Sequence, residues 1–380
     1  MHPLAALYDG AQDVRAEIDA RTADDTDHAA ETARLIDAYH PRRLALTVSE
    51  VVPETATSAT FRLRRADGEP LPPFLAGQYL GVFADGTSRP LAISSSPATL
   101  DHYDVTVRRV ASGRISNHLV DTLRPGDVLT TTGPLGTFHH NPLFHGDDVV
   151  FLAGGSGVAP ARSMIRDIVD HARARRFHLI YGSRSAHDIV FRRELDALAE
   201  AHAGIRVDYV VLDPEPDARW RGPTGLLSAE TVRALAGPLR GRMVYVCGPP
   251  AFQPYAVEQL VRLGHPRRRI RCEANGAPAR PEQQPHWPEQ ADPAAEVTVS
   301  VRGGPSFRSP RRRPLLDALE DQGVRTEAAC RSGECSLCRV RVLSGEVHTA
   351  EEARLRLSDR RFGYTHSCVA YPLTDVEVDV

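Results

Sequence analysis

Cys330-Arg331-Ser332-Gly333-Glu334-Cys335-Ser336-Leu337-Cys338 is the stretch that decides the fold. Its spacing is C-x4-C-x2-C, and Cys368 follows after 29 intervening residues. Four of the six cysteines thus fall between 330 and 368, which in a chain without a secretory leader reads as a metal site rather than as disulfides. Three thiolates on one tight loop suit a two-iron, two-sulfur cluster. Small residues let backbone N–H groups approach the sulfurs, and a distant fourth cysteine completes the second iron. Gly333 is expected to supply a backbone conformation closed to other residues. Zinc is the rival, but it favours paired C-x2-C hooks, often with histidine. Only one C-x2-C is present, and the nearby His366 is off that pattern.

The residues before this loop change period three times. Residues 1–40 are acidic and helical in pattern, as in Thr32-Ala33-Arg34-Leu35-Ile36-Asp37, and read as a helical extension. Over 41–143, short β-rich runs such as LALTVSEVV, ATFRLRR, GQYLGVFA and YDVTVRRV alternate with Pro/Gly turns, the pattern of a small antiparallel barrel. Over 144–274, the strand-like VVFLAG, FHLIYG, IRVDYVVL and MVYVCG alternate with helical stretches at 158–172, 190–202, 228–237 and 251–263. That alternation implies a doubly wound parallel α/β sheet. Residues 275–294 are proline-rich and read as a semi-rigid linker. Residues 295–380 form an α+β unit around the cysteines. The expectation is a multidomain chain of β, α/β and α+β parts.

Two nucleotide signals lie in the middle units. Phe151-Leu152-Ala153-Gly154-Gly155-Ser156-Gly157-Val158-Ala159-Pro160 follows a strand and opens a helix, so its backbone N–H groups and helix dipole suit a pyrophosphate. Tyr181-Gly182-Ser183-Arg184 and Cys247-Gly248-Pro249 end later strands, where doubly wound sheets bind ligands. The candidate dinucleotide-site residues, which the resemblance named below assigns to NAD(P), are Gly154, Gly155, Gly157, Pro160, Arg184, Cys247, Gly248 and Pro249. Arg89-Pro90-Leu91-Ala92-Ile93-Ser94 and Gly113-Arg114-Ile115-Ser116 supply the second signal. Cys272 belongs to no motif and reads as a buried structural thiol.

Residues 296–380 resemble the plant-type ferredoxin domain in Ala329-Cys330-Arg331-Ser332-Gly333, Ser344-Gly345-Glu346-Val347 and Ser367-Cys368. Residues 43–273 resemble the ferredoxin–NADP reductase superfamily, and the domain order resembles reductase components of bacterial oxygenases. The resemblance implies a [2Fe–2S] cluster on Cys330, Cys335, Cys338 and Cys368, FAD or FMN, and NADH or NADPH. It implies that Arg89 pairs with a flavin phosphate, that Gly113 and Ser116 offer N–H groups to phosphate, and that Leu91, Ala92, Ile93 and Ser94 border the flavin. Cys247 borders the nicotinamide. The pattern of the superfamily is Arg-x-Tyr-Ser, but Leu91 and Ala92 replace the Tyr and Ser. Ala159 stands where Thr is common, and Ala274 where an aromatic often follows Glu273. Hydride transfer to the flavin is therefore the step these substitutions question.

Composition excludes other classes. The net charge of −3 argues against nucleic acid as a partner, and no apolar run approaches the ~18 residues of a membrane span. A cytoplasmic location is expected. All 46 Lys+Arg residues are arginine, so no lysine Schiff base or lysine general base exists. No side-chain general base is needed either. Arg267–Arg269 and Arg311–Arg313 read as solvated faces. The leading expectation is an NAD(P)H-dependent reductase that passes electrons through flavin and cluster to a separate acceptor protein. Two alternatives stand beside it: an electron relay with a vestigial nicotinamide site, and a repurposed biosynthetic flavoenzyme.

Overall fold

The computed structural model describes residues 16, 20, 29–39 and 41–380, apart from 85, 112, 215–219, 274–275, 279 and 352. Most of the expected N-terminal extension, and Ala274, lie outside the described residues. Residues up to 40 form one unit and 41–380 a second. In the first unit, α1 (Ala29–Tyr39) is a three-turn helix.

The second unit begins with a barrel of six antiparallel strands: β1 (Leu44–Thr55), β2 (Ser58–Arg64), β3 (Tyr79–Ala84), β4 (Thr87–Ala92), β5 (Tyr103–Arg108) and β6 (Val128–Thr131). Their order is β4-β3-β6-β1-β2-β5, and a bridge between Ile93 and Val105 closes the sheet on itself. Closure follows from burial, because Leu46, Val48, Phe61, Leu63, Leu80, Val82, Tyr103 and Val105 fill the interior. Helix α2 (Arg114–Thr122) follows β5 and buries Ile115 and Leu119.

Five parallel strands come next: β7 (Asp148–Gly154), β8 (Arg176–Ser183), β9 (Ile205–Val211), β10 (Met243–Cys247) and β11 (Ile270–Cys272), in the order β11-β10-β7-β8-β9. The crossovers are α3 (Ala159–Asp170), α4 (Arg192–Ala201), α5 (Ala229–Ala236) and α6 (Phe252–Arg262). Central β7 is buried at six consecutive positions, as a strand covered on both faces must be. Two apolar clusters, one around Phe151 and one around Val150, flank this sheet.

The C-terminal unit pairs β13-β12-β18-β14-β16, with a two-stranded β15-β17 ribbon. Its elements are β12 (Glu296–Val301), β13 (Ser306–Pro310), α7 (Leu315–Asp321), β14 (Arg339–Ser344), β15 (Val347–Thr349), α8 (Leu357–Arg361), β16 (Tyr364–His366), β17 (Ala370–Pro372) and β18 (Val376–Asp379). The proline-rich segment does not simply span a gap. Trp287 packs 5.3 Å from the His348 ring and 6.2 Å from Tyr371, and the Tyr371 hydroxyl donates to the Pro278 carbonyl at 3.0 Å. The linker thus lies along the C-terminal unit, because an indole among prolines buries its area against the nearest aromatic pair.

Candidate functional site

The four cysteines of the motif converge. Cys330, Cys338 and Cys368 are buried, and Cys335 is partly exposed. Cys335 and Cys368 lie close enough to Cys330 to perturb its thiol, Cys368 likewise perturbs Cys338, and all four thiols are free. The backbone N–H groups of Ser332, Glu334 and Cys335 all donate to Cys330 Sγ at 3.4 Å. These sulfur contacts, then the amides, hold Cys330 well below the ordinary thiol range. The loop reaches this shape with Gly333 at φ +78°, where an added Cβ would lie 2.8 Å from Val369 and 3.0 Å from the Ala353 backbone. Four convergent thiols with amides aimed at one of them are the donor set a [2Fe–2S] cluster needs.

One side of the cluster loop rests on the barrel. Ala329 sits so close to Gly81 of β3 that a Cβ on the glycine would come within 2.7 Å of it. Arg331, nine-tenths buried and at φ +51°, donates from Nε to the Ser88 carbonyl at 3.0 Å. Its other nitrogens pair with Asp317 at 3.0 Å and with Glu320. Glu334 accepts from Thr137 Oγ1 at 2.8 Å. Tyr79, opposite Ala92 in the β3–β4 register, buries its hydroxyl against Cys330 without a well-formed hydrogen bond. Burial, then the charge of Cys330, pushes that phenol above its ordinary range. Arg331 and Tyr79 carried no functional signal in the sequence, because their roles exist only across the contact.

The candidate flavin residues divide by face. Arg89 donates to the same Ser88 carbonyl at 2.7 Å that Arg331 uses. Arg89 remains exposed as a residue, yet the surrounding protein mass and then the Arg331 charge lower its pKa. Arg114 adds to that repulsion. Asp317 and Glu320, which pair with Arg331, act in the opposite direction, and the exposed Arg89 guanidinium fits an anionic phosphate. Gly113 caps α2 without a side chain, and a Cβ there would clash with Ser116 Oγ, itself buried without a hydrogen-bond partner. An orphan hydroxyl at a helix N-terminus likewise fits a phosphate. Leu91 is partly buried and packs on the barrel interior. Ile93 and Ser94 are fully buried, and the Ser94 hydroxyl already bonds Asp104 O at 3.1 Å and Thr106 at 3.0 Å. Their side chains serve the barrel, leaving only backbone at these two positions for a flavin.

The nicotinamide-type turn is built as the motif implies. β7 ends at Gly154, one tight turn covers Gly155–Val158, and α3 starts with Pro160 in its first turn. A Cβ on Gly157 would collide with the Cys247 carbonyl, so these two strand ends touch. Phe252 lies over Gly154 and Gly248, 2.9 Å from where the Gly154 Cβ would stand. Pro249 and Arg184 are exposed at the mouth. The Cys247 thiol donates to Glu273 Oε2 at 2.8 Å, and both are buried. Burial pushes the Glu273 carboxyl up to about 7, against the lowering effect of that hydrogen bond. Glu273 was visible in the sequence only as a landmark; its signal is an acidic residue ending a strand beside Cys-Gly-Pro. Cys272 is partly buried, not fully, and packs at the edge of the sheet's core. Barrel and sheet are joined by Arg162 to Ser94 O at 3.0 Å, Ser163 to Ser95 O at 2.7 Å, and the Arg108–Asp188 pair.

Three family descriptions match the chain in order. They are an oxidoreductase FAD-binding domain over 43–140, an oxidoreductase NAD-binding domain over 151–258 and a 2Fe-2S iron-sulfur cluster binding domain over 302–373. A 3-ketosteroid-9-alpha-monooxygenase ferredoxin reductase component from Rhodococcus rhodochrous is 30% identical over 347 residues, covering 88% of this chain and 95% of its own. A glycine betaine monooxygenase reductase subunit from Pseudomonas aeruginosa is 30% identical over 344 residues, covering 87% and 93%. Phthalate dioxygenase reductase shares the fold, with a TM-score of 0.62 and 24% identity over 89% of this chain and 98% of that one. Among the described residues no helix is long and apolar enough to cross a membrane. The chain therefore belongs to the family of oxygenase reductase components, as an NAD(P)H-dependent oxidoreductase with FAD, NAD and 2Fe–2S domains.

Proposed function

We propose that this chain serves a separate oxygenase, and that its altered flavin pocket still accepts hydride from a nicotinamide nucleotide. One observation carries the reading: the cluster loop is packed against the flavin strand pair at Gly81, Ser88 and Tyr79, all three buried. When bound, the groups would supply the redox chemistry: one hydride from the nicotinamide brings two electrons, which the flavin can release singly to the cluster. The protein supplies position. Gly154–Gly157 and the start of α3 offer amides to the dinucleotide phosphates, while Arg89, Gly113 and Ser116 hold the flavin phosphate. Cys247 and Glu273 wall the cleft with a buried, mutually hydrogen-bonded pair that excludes water from the nicotinamide side.

Leu91, Ala92 and Ala159 favour the second reading, an electron relay whose nicotinamide site is vestigial. The intact Cys247–Glu273 pair and the tight Gly157 turn weigh against it, since a disused cleft has no need to keep a carboxylic acid buried. Anaerobic addition of NADH or NADPH to the holoprotein separates the two. Bleaching of the visible spectrum with appearance of the reduced-cluster paramagnetic signal is expected. If neither nucleotide reduces a protein that dithionite does reduce, the relay reading replaces ours.

A further inference from the structure

The cluster's other flank carries an unpartnered surface on the short helix α8 and the turns around it. Leu357 is 84% exposed and Phe362 is 62% exposed. Large apolar side chains left this open on a well-packed unit mark a contact site rather than a core. Residues 354–361, Arg-Leu-Arg-Leu-Ser-Asp-Arg-Arg, hold four arginines and one aspartate. The aspartate does not offset them at the surface, because Asp359 is buried and accepts from Arg339 Nη1 at 3.0 Å. Arg354 is paired with Glu334 at 3.3 Å. Arg356, Arg360 and Arg361 are exposed and make no ion pair among the described residues. Two exposed apolar side chains and three exposed arginines without an ion pair among the described residues thus share one short segment.

The same patch is bolted to the cluster loop. Arg354 N–H donates to the Gly333 carbonyl at 2.9 Å, between the first two ligands. Arg339, which follows the third ligand, holds Asp359 of α8 and lies 4.7 Å over the Tyr364 ring. β16 (Tyr364–His366) then leads within two residues to Cys368. The segment around α8 is thus tied both to the cluster loop, at Gly333 and Arg339, and to β14, where Val342 N–H donates to the Gly363 carbonyl at 2.8 Å. Inter-protein electron transfer needs a short approach to the cluster and a contact that releases quickly, which a small apolar centre with a charged rim provides.

We infer that α8, with Leu357 and Phe362 at its centre and Arg356, Arg360 and Arg361 around it, is where the electron-accepting protein docks, through an acidic face with an apolar middle. This rests on the proposal that a separate protein is the acceptor. The transfer moves one electron from the reduced cluster to the partner's oxidised centre, with no bond made or broken. Steering by the arginines raises the association rate and makes it depend on ionic strength.

The test uses holoprotein reduced anaerobically with dithionite and desalted, so it does not depend on whether nicotinamide reduces the flavin. Two haem proteins serve as probes in stopped flow: acidic cytochrome b5 and basic cytochrome c. Wild type is expected to reduce cytochrome b5 faster at low salt, with a rate that falls as salt rises. The triple variant Arg356→Glu/Arg360→Glu/Arg361→Glu should slow that reaction about tenfold or more and abolish its salt dependence, while speeding cytochrome c. Leu357→Ser/Phe362→Ser should lower the cytochrome b5 rate several-fold and keep the salt slope. Unchanged visible and paramagnetic spectra of the cluster establish that each variant is folded. The inference is overturned if wild type prefers cytochrome c at low salt, or if charge reversal leaves the cytochrome b5 rate unchanged. Should the triple variant lose its cluster, the single variants Arg356→Glu and Arg361→Glu decide the matter by the same rate and salt slope, and unchanged cytochrome b5 rates in both overturn the inference.

Discussion

The cluster loop and the flavin–nicotinamide cleft hold their cofactors by opposite strategies. The loop uses four side chains of one kind, at fixed spacing, with three amides turned onto Cys330. The cleft uses almost no side chain that is indispensable by type. It offers glycines, helix N-termini, an arginine whose charge is crowded by two others, and one buried Cys–Glu pair. Covalent ligation tolerates no substitution, whereas phosphate and ring binding spread over many weak contacts can lose several. That difference explains how Leu91 and Ala92 coexist with an intact cluster motif in one electron path.

The largest expected effect lies on the loop. Cys338→Ser should abolish or severely weaken the visible absorption and the reduced-state paramagnetic signal, while Cys272→Ser leaves both unchanged. Loss of the cluster on Cys272→Ser alone would overturn the ligand assignment.

In the cleft, the buried Glu273 gives a pH signature. Its carboxyl titrates near 7 in the folded chain against 4.5 for the free group, so the native state binds the proton more tightly. Its stabilising contribution is therefore complete below about pH 4.5 and lost as pH rises through about 7, on the order of 3 kcal/mol. Glu273→Gln should flatten that part of the stability–pH curve in denaturant titrations. An unchanged slope would mean the carboxyl is not the group that titrates.

Where the two regions meet, Arg331→Met removes the tie to Ser88 and strands Asp317 and Glu320. It should cost about 1–3 kcal/mol of stability, less than a fully buried pair because Asp317 is half in solvent. In rapid mixing, nicotinamide-to-flavin reduction should stay at its wild-type rate while flavin-to-cluster transfer slows. Equal slowing of both steps would assign Arg331 to general folding instead.

The smallest effect is expected on the flavin strand. Leu91→Tyr with Ala92→Ser restores an aromatic contact of about 0.5–1.5 kcal/mol and a hydrogen bond of similar size. Flavin should bind tighter by roughly one to two powers of ten, with faster reduction by nicotinamide. Weaker binding in an equilibrium dilution assay would show that these two residues shape the pocket for another occupant.

Legibility followed the same division. The cysteine ligands, the glycine turn at 154–157, the Cys-Gly-Pro strand end and the four crossover helices could all be read as local patterns, because each is decided by neighbours in the chain. Ser94 shows where a local pattern stops: the motif places it beside the flavin, while its hydroxyl is taken up by the Asp104 carbonyl and Thr106 and leaves its backbone for that contact. Arg331, Tyr79 and Trp287 were silent for a related reason. Each acts on a residue far away in sequence, so nothing nearby in the chain marks it.

By itself the sequence determined which cofactors the chain is equipped to hold and the order of its domains, and it singled out four cysteines as the proposed cluster ligands. These follow from donor chemistry and from periodicities of two and 3.6 residues. Only the tertiary structure decided which side of the cluster meets the barrel, through Ala329 on Gly81 and Arg331 on Ser88, and which side is left open at Leu357 and Phe362. Those choices depend on how surfaces from separate segments fit and on which charges find partners, and a linear pattern carries no record of either.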